Sequence, residues 1–372
     1  MPSPDVIIVG GGVIGCSIAL RLAQAGLNTL IIEKSFLGAE ASTAAAGMLA
    51  PQLESEHPSP FTDLCIKSRS LYPAFAEELR HLTGRDVGYL PCGAFHLAFA
   101  EEELRKQAEK SKWQLAQGYR NKSITRRELL EAQPQSSDAC LGALHFPDEG
   151  QVDPRLLMEA LVDAVGRAGV STRVGEVQAL LQQGTRCTGV EVDHAPLYAA
   201  AVVVAAGAWS SCIAHTGLSA AAVAPLRGQM ALLEMPERPF TAILASNKGY
   251  VVPRGGATSK VLAGSTMEFA QFEKRLTAGG LSSILRMAIE LSPKLAFASV
   301  VNTWVGLRPT TPDHLPILGS GPIEGLLFAT GHHRNGVLLA PITAEIVADI
   351  IVKRISHSSL TPFRWDRFQN RR

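Results

Sequence analysis

The sequence predicts an α/β fold with an α+β second domain. Three observations lead there. Residues 6–33 read as a short apolar strand, a glycine-rich turn, an apolar helix and a second strand. Strand-and-turn patterns of the same kind return near 201–210 and 326–336, and residues 222–304 read as strands. The first domain is therefore expected to be Rossmann-like and built from discontinuous segments, 1–85, 150–221 and 305–372. The second, 86–149 and 222–304, is expected to carry a mainly antiparallel sheet.

Val6–Val9 is apolar at every position, as a parallel strand buried on both faces should be. Gly10, Gly12 and Gly15 follow in a G-x-G-x-x-G pattern. Gly10 permits the tight turn, Gly12 lets the backbone approach a pyrophosphate, and Gly15 lets helix and strand pack closely. The helix N-terminus then faces the phosphates. Glu33 ends the next strand, where a carboxylate can accept hydrogen bonds from ribose hydroxyls. The competing reading is a tight turn with no ligand, and the motif alone leaves NAD and FAD both open.

Further along, 38–50 is a run of small residues, and 61–82 has helical spacing in Leu64, Leu71, Phe75 and Leu79. Residues 88–99 alternate like a strand, and 101–118 and 126–133 read as charged, solvated helices. Asp153 and Pro154 form an N-cap and first turn for a helix to about Gly166. Strands occupy 170–204, ending in Ala201–Ala205. Gln229–Glu234, Gly249–Pro253, Lys260–Gly264 and Ala298–Val305 are strands of the second domain. Leu326–Ala329 is a strand, Gly331–Gly336 a turn, and Ile342–Ile355 an amphipathic helix with Pro341 in its first turn.

The chain has 372 residues, 46% apolar and 19% charged, with a net charge of +1. That suits a globular enzyme and gives no basic stripe for nucleic acid. The six cysteines, Cys16, Cys65, Cys92, Cys140, Cys187 and Cys212, make no C-x-x-C or Cys/His cluster. They read as reduced structural thiols of a cytoplasmic protein, with no metal. The uncharged stretch Val6–Leu20 follows Asp5, lacks a basic flank and is broken by three glycines. It is also short for a membrane span, which takes about 20 residues, so no membrane is expected. The sequence leaves room for a homo-oligomer.

NAD domains are usually contiguous, whereas here nucleotide-type turns recur across the chain. That arrangement suits a long cofactor lying between domains, which favours FAD. The run Ala41-Ser-Thr-Ala-Ala-Ala-Gly-Met48 agrees, because small residues let backbone amides approach a pyrophosphate or a flat ring. Its alternative is a tightly packed helix start. Together with Gly10–Gly15 and Glu33, the segments Ser42–Met48, Ala206-Gly-Ala-Trp-Ser210, Gly306-Leu-Arg-Pro309 and Gly331-His-His-Arg-Asn-Gly336 resemble the D-amino-acid-oxidase superfamily of flavoproteins. Ala45–Leu49 and Gly331–Pro341 look most like its glycine-oxidising branch, linked to thiamine thiazole synthesis. The resemblance runs from residue 5 to about 352.

It implies that Val13, Ile14, Glu33 and Lys34 hold the adenosine part of FAD. Ala41, Ser42, Ala46, Gly47 and Met48 would line the pyrophosphate and flavin. Val177 would offer backbone hydrogen bonds to the adenine. Gly207 belongs to a further cofactor turn, and His332, His333, Arg334, Asn335, Gly336, Val337 and Leu338 would wrap the flavin's pyrimidine edge. Arg308, Arg334, Tyr250 and Met267 would line the substrate pocket. The implied reaction is oxidative deamination of glycine or another small amino acid by hydride transfer to flavin. O2 would be the acceptor, and the products a 2-oxo acid, ammonia and H2O2. D-amino-acid or sarcosine oxidases or dehydrogenases are the alternatives within the superfamily, and a flavin-binding or tRNA-modifying scaffold is one outside it. Related enzymes with covalent FAD use a cysteine in the C-terminal half. The last cysteine here is Cys212, and none lies near the 306–340 segment, so FAD is expected to be non-covalent.

The residues fit that chemistry on their own account. The hard step belongs to the cofactor, and the protein must aim the substrate C–H bond at it. A carboxylate is best held by the planar fork of arginine, which favours Arg308 over its alternative, a surface ion pair. Arg334 serves either as a substrate contact or as an anchor for its own loop. Tyr250 is a second clamp or a half-buried strand tyrosine, and Met267 a pocket wall or a core filler. His332 and His333 have no carboxylate or cysteine at metal-ligand spacing. No general base is needed if the amine binds neutral, so both read as loop residues. A helix N-terminus aimed at the reduced ring would favour its negative charge by about 0.3–1 kcal/mol.

Overall fold

The computed structural model describes residues 3–237, 240–255, 259–353, 355 and 358–368. Six strands form one sheet in the order Ile317–Ser320, Leu326–Thr330, Ala201–Val204, Val6–Val9, Thr29–Glu33, Ser171–Val174. All neighbours are parallel except the first pair. Val6 and Ile8 pack into a helical layer made by Val13–Gln24, Pro60–Thr83, Pro154–Arg167 and Gly336–Ala348. Ile7 and Val9 face the meander Val177–Gln183, Arg186–Val192, Ala195–Tyr198 on the other side. Both faces of this strand are covered, which is why its sequence is apolar without alternation.

A second sheet has eight strands, Ser299–Thr310, Ala224–Glu234, Lys260–Gly264, Gly249–Pro253, Ile243–Ser246, Ala94–Ala98, Gly142–Phe146 and Lys122–Thr125. Its pairs are antiparallel apart from Ile243–Ser246 beside Ala94–Ala98. The strand Ser299–Thr310 is longer than expected and runs across residue 305. Arg308 therefore lies within a strand, opposite Leu226, rather than beyond its end.

The helix Pro60–Thr83 starts at an N-cap Ser59, whose side chain accepts from Thr62 N, and stops at Gly84 in the left-handed region. The N-cap at Asp153 also forms, accepting from Arg155 N. Four expectations need correction. The strand expected over 88–99 narrows to Ala94–Ala98, because Pro91 and Gly93, at φ +73°, interrupt it. The helix Glu101–Ala116 is not solvated all round: Gln107, Lys110, Ser111 and Gln114 are buried, with Lys110 Nζ donating to Leu53 O at 3.0 Å. Residues 222–304 also contain the helix Ala278–Leu291, masked in sequence by Gly279 and Gly280 and capped by Thr277. The C-terminal helix begins at Gly336, not 342, leaves α geometry at Ala348 and is buried almost all round rather than amphipathic.

That last correction has a clear cause. Pro341 lacks the N–H that would bond Val337 O within the helix. The Tyr72 hydroxyl donates to that carbonyl instead, and Ser68 Oγ donates to Leu338 O at 2.6 Å. The neighbouring helix thus satisfies what the proline removes, and the helix reaches back to the cleft. Among the described residues, no helix is long and apolar enough to cross a membrane.

Candidate active site

A cavity of about 360 Å³ opens where the parallel strands end, between Val9, Ile32, Ala205 and Ala329. Gly10 has φ +108°, and a Cβ there would lie 2.5 Å from Ala205 O. A Cβ on Gly15 would lie 2.0 Å from Gly10 O, so Gly15 sets helix packing and does not itself line the cavity. Gly12, Val13 and Ile14 do line it. Glu33 Oε2 accepts from Gly11 N at 2.8 Å, tying the second strand to the turn, and its other oxygen accepts from Ser35 N at 3.2 Å.

The small-residue segment wraps the same opening: Ala41, Ser42, Ala46, Gly47 and Met48 all line it. Ser42 Oγ accepts from Val13 N at 2.8 Å, at the start of the first helix. Gly47 has φ +78°, and a Cβ would meet Val152 O at 2.0 Å. Trp304 Nε1 donates to Ala44 O at 3.1 Å, and Arg254 Nη1 to Ala46 O at 3.0 Å, so the second sheet grips this segment. Lys34, Val177 and Gly207 complete one end, with Lys34 Nζ 4.0 Å from the Trp209 ring centroid. Cys212 borders this end and is a free, exposed thiol.

His332 to Val337 line the opposite wall, but Leu338 turns into the core instead. Asn335, Gly336 and Val337, at the start of this helix, line the cavity, and the first N–H groups of a helix have no partner within it. His332 is buried against Thr343 Oγ1 at 3.2 Å, and burial pushes it down to about 3. His333 is held by its backbone N–H to Pro309 O at 2.8 Å. Burial first, then His314 and the two arginines, lowers it to about 3. Both rings are neutral near pH 7 and serve as walls. A glycine cradle, two convergent helix N-termini and a long lining from Glu33 to Arg308 fit FAD.

At the far end, Arg308, Tyr250 and Arg334 converge. Arg308 donates from Nη1 to Thr266 O at 3.1 Å and from Nη2 to Ser265 Oγ at 2.5 Å. Burial lowers its affinity for the proton, and among the described residues no carboxylate forms an ion pair with it. Tyr250 OH reaches the same Ser265 Oγ at 3.4 Å. A Cβ on Gly228 would lie 2.1 Å from Arg308 Nη1, so only glycine leaves the guanidinium its place. Arg334, by contrast, pairs with Glu54 Oε1 at 2.8 Å rather than with loop carbonyls. Met267 is 59% exposed and borders an adjoining cavity of about 240 Å³ together with Tyr250 and Arg334, so it is not a wall of the main one.

Sequence reasoning missed Glu54, Ser265 and Gly228. Glu54 carried a signal, since it sits in the first turn of a helix opened by Pro51 directly after the small-residue run. Ser265 and Gly228 carried none, because their role is to fit one side chain from a distant strand. No group of three or more His, Cys, Asp or Glu among the described residues is arranged to hold a metal.

The sequence profile of the family described as DAO, FAD dependent oxidoreductase, matches residues 5–350. A glycine oxidase from Geobacillus kaustophilus is 38% identical over 96% of this chain and 96% of its own length. A bifunctional ThiO/ThiG protein from Trichormus variabilis is 36% identical over 98% of this chain, which spans 55% of that longer protein. The crystal structure of the Geobacillus glycine oxidase superposes with a TM-score of 0.94 at 36% identity, covering 99% of both chains.

Proposed function

The chain belongs to the DAO family of FAD-dependent oxidoreductases, and from that premise we propose that it oxidises glycine or a closely similar small amino acid. The observation that carries this reading is Arg308: a buried guanidinium at the end of the cleft with no carboxylate partner among the described residues. Such a group calls for an anion, and a planar fork suits a carboxylate. Tyr250, tied to the same Ser265 hydroxyl, supplies a neutral second donor. With the carboxylate clamped, the α-carbon would be directed toward a flavin ring that Ala46–Met48 and His332–Val337, which line the cavity, would hold. FAD, when bound, supplies the hydride acceptor. The neutral histidines neither take nor give a proton, so the amine is oxidised in its uncharged form.

O2 as acceptor, release of H2O2 and a 2-oxo acid, non-covalent FAD, a cytoplasmic site and a role in thiamine thiazole synthesis complete the proposal. The resemblance to ThiO/ThiG supports the last of these. The adjoining cavity beside Tyr250 and Arg334 also favours a second reading, sarcosine-type oxidation, because it leaves room for a substituent. The test is peroxide release in air by the purified yellow protein with glycine, sarcosine, D-alanine and D-proline. Glycine or sarcosine should lead; absence of flavin reduction by all four refutes the reading.

A further inference from the structure

We propose that Glu54 sets the substrate range: by pairing with Arg334, it leaves the site one free cation among the described residues and turns away substrates that carry a second anion. The inference rests on the reading of the cleft as an amino-acid oxidase site.

Two cavities meet at Met48, Glu54, Tyr250 and Arg334. The main one ends at Arg308, whose charge is open to a ligand carboxylate. The adjoining one holds whatever projects beyond the reacting carbon and nitrogen. Its charged lining is Glu54, Glu56, Lys248 and Arg334. Each of these cations is already answered. Arg334 Nη2 lies 2.8 Å from Glu54, and Lys248 Nζ 2.6 Å from Glu290. Glu56 is answered likewise, by Lys110 at 2.7 Å. His96 also faces this space, and burial holds it at about 4, so it is neutral near pH 7.

A neutral extension therefore meets Met48, Leu53, Ala245 and Met267 without penalty. A second carboxylate meets Glu54, and reaches Arg334 only by displacing it. Like charges at such range disfavour binding. Neutralising Glu54 in place reverses this, because Arg334 becomes a second unpaired guanidinium beside the first.

The test uses the FAD-loaded enzyme and two unreactive acids that differ by one terminal carboxylate, butyrate and glutarate, with affinity read from the flavin visible spectrum. Turnover of sarcosine and iminodiacetate is the parallel readout. Glu54→Gln should raise the preference for glutarate over butyrate at least tenfold, and the iminodiacetate-to-sarcosine ratio of kcat/KM with it. Glu54→Asp should keep the wild-type ratios, and Arg334→Gln should move the glutarate preference the opposite way. Unchanged ratios in Glu54→Gln overturn the proposal, as does a gain that survives in the Glu54→Gln/Arg334→Gln double variant. If Glu54→Gln fails to fold, the direction of the Arg334→Gln shift decides the matter. Failure of the wild type to oxidise sarcosine or glycine would refute the underlying reading instead, and the two unreactive acids would still decide the role of Glu54.

Discussion

Replacing Arg308 by alanine should raise KM for the amino-acid substrate by two orders of magnitude while FAD stays bound. A guanidinium has five N–H donors, and Arg308 spends some of them on the neutral acceptors Thr266 O and Ser265 Oγ and on the Tyr250 hydroxyl. The others are available to a carboxylate. Each charge-assisted hydrogen bond contributes about 1.5–3 kcal/mol, so a bidentate clamp is worth about 3–6 kcal/mol. Water entering the space left by the side chain recovers part of this, leaving a loss of about 3 kcal/mol. At about 1.4 kcal/mol per tenfold, that is roughly a hundredfold in kcat/KM. Arg308→Lys keeps the charge without the fork and should lose about tenfold. The assay is anaerobic flavin bleaching as a function of substrate concentration, with bound FAD counted from the absorbance of the same sample. The guanidinium lies at the opposite end of the cleft from Glu33 and Lys34, so FAD content should match wild type. A kcat/KM within threefold of wild type for Arg308→Ala would remove Arg308 from the site, and a protein that lost its flavin would assign it to the cofactor instead.

Tyr72→Phe leaves Val337 O without the donor that substitutes for Pro341; a loss of about 1–3 kcal/mol follows, seen as a lower Tm in the holoenzyme. Glu33→Gln weakens the bond to Gly11 N and the carboxylate offered to the cofactor; the Kd for FAD should rise about tenfold, with kcat at saturating FAD unchanged. His332 is held at about 3 in the folded protein against 6.5 for the free side chain, so its contribution to stability is present above pH 6.5 and lost as pH falls toward 3. His332→Gln should therefore lose less stability than wild type between pH 7 and pH 4, measured by denaturant unfolding.

The cavity lining proposed to hold the cofactor was legible because its determinants are local. Gly10, Gly12, Gly15 and Glu33 lie within one βαβ unit, and each answers to a backbone requirement that a short stretch of chain imposes on itself. The segment 41–48 and the turn 331–335 were legible for the same reason. The C-terminal helix was misplaced because a proline at 341 argues for a start, and only a tyrosine from residues 60–83 explains why the helix begins earlier. Met267 and Leu338 are sequence neighbours of pocket residues, yet Met267 borders the adjoining cavity and the Leu338 side chain enters the core.

The sequence by itself determined the α/β class and the dinucleotide turn, and it singled out Arg308 as the candidate to hold a carboxylate. Only the tertiary structure set the two arginines apart, pairing Arg334 with a carboxylate and leaving Arg308 without one among the described residues. Arg308 and Arg334 look alike in the chain, and they differ because Glu54, far from both in sequence, folds within 2.8 Å of one of them. Free charge depends on which opposite charges lie within a few ångströms, and no local pattern of residues records that distance.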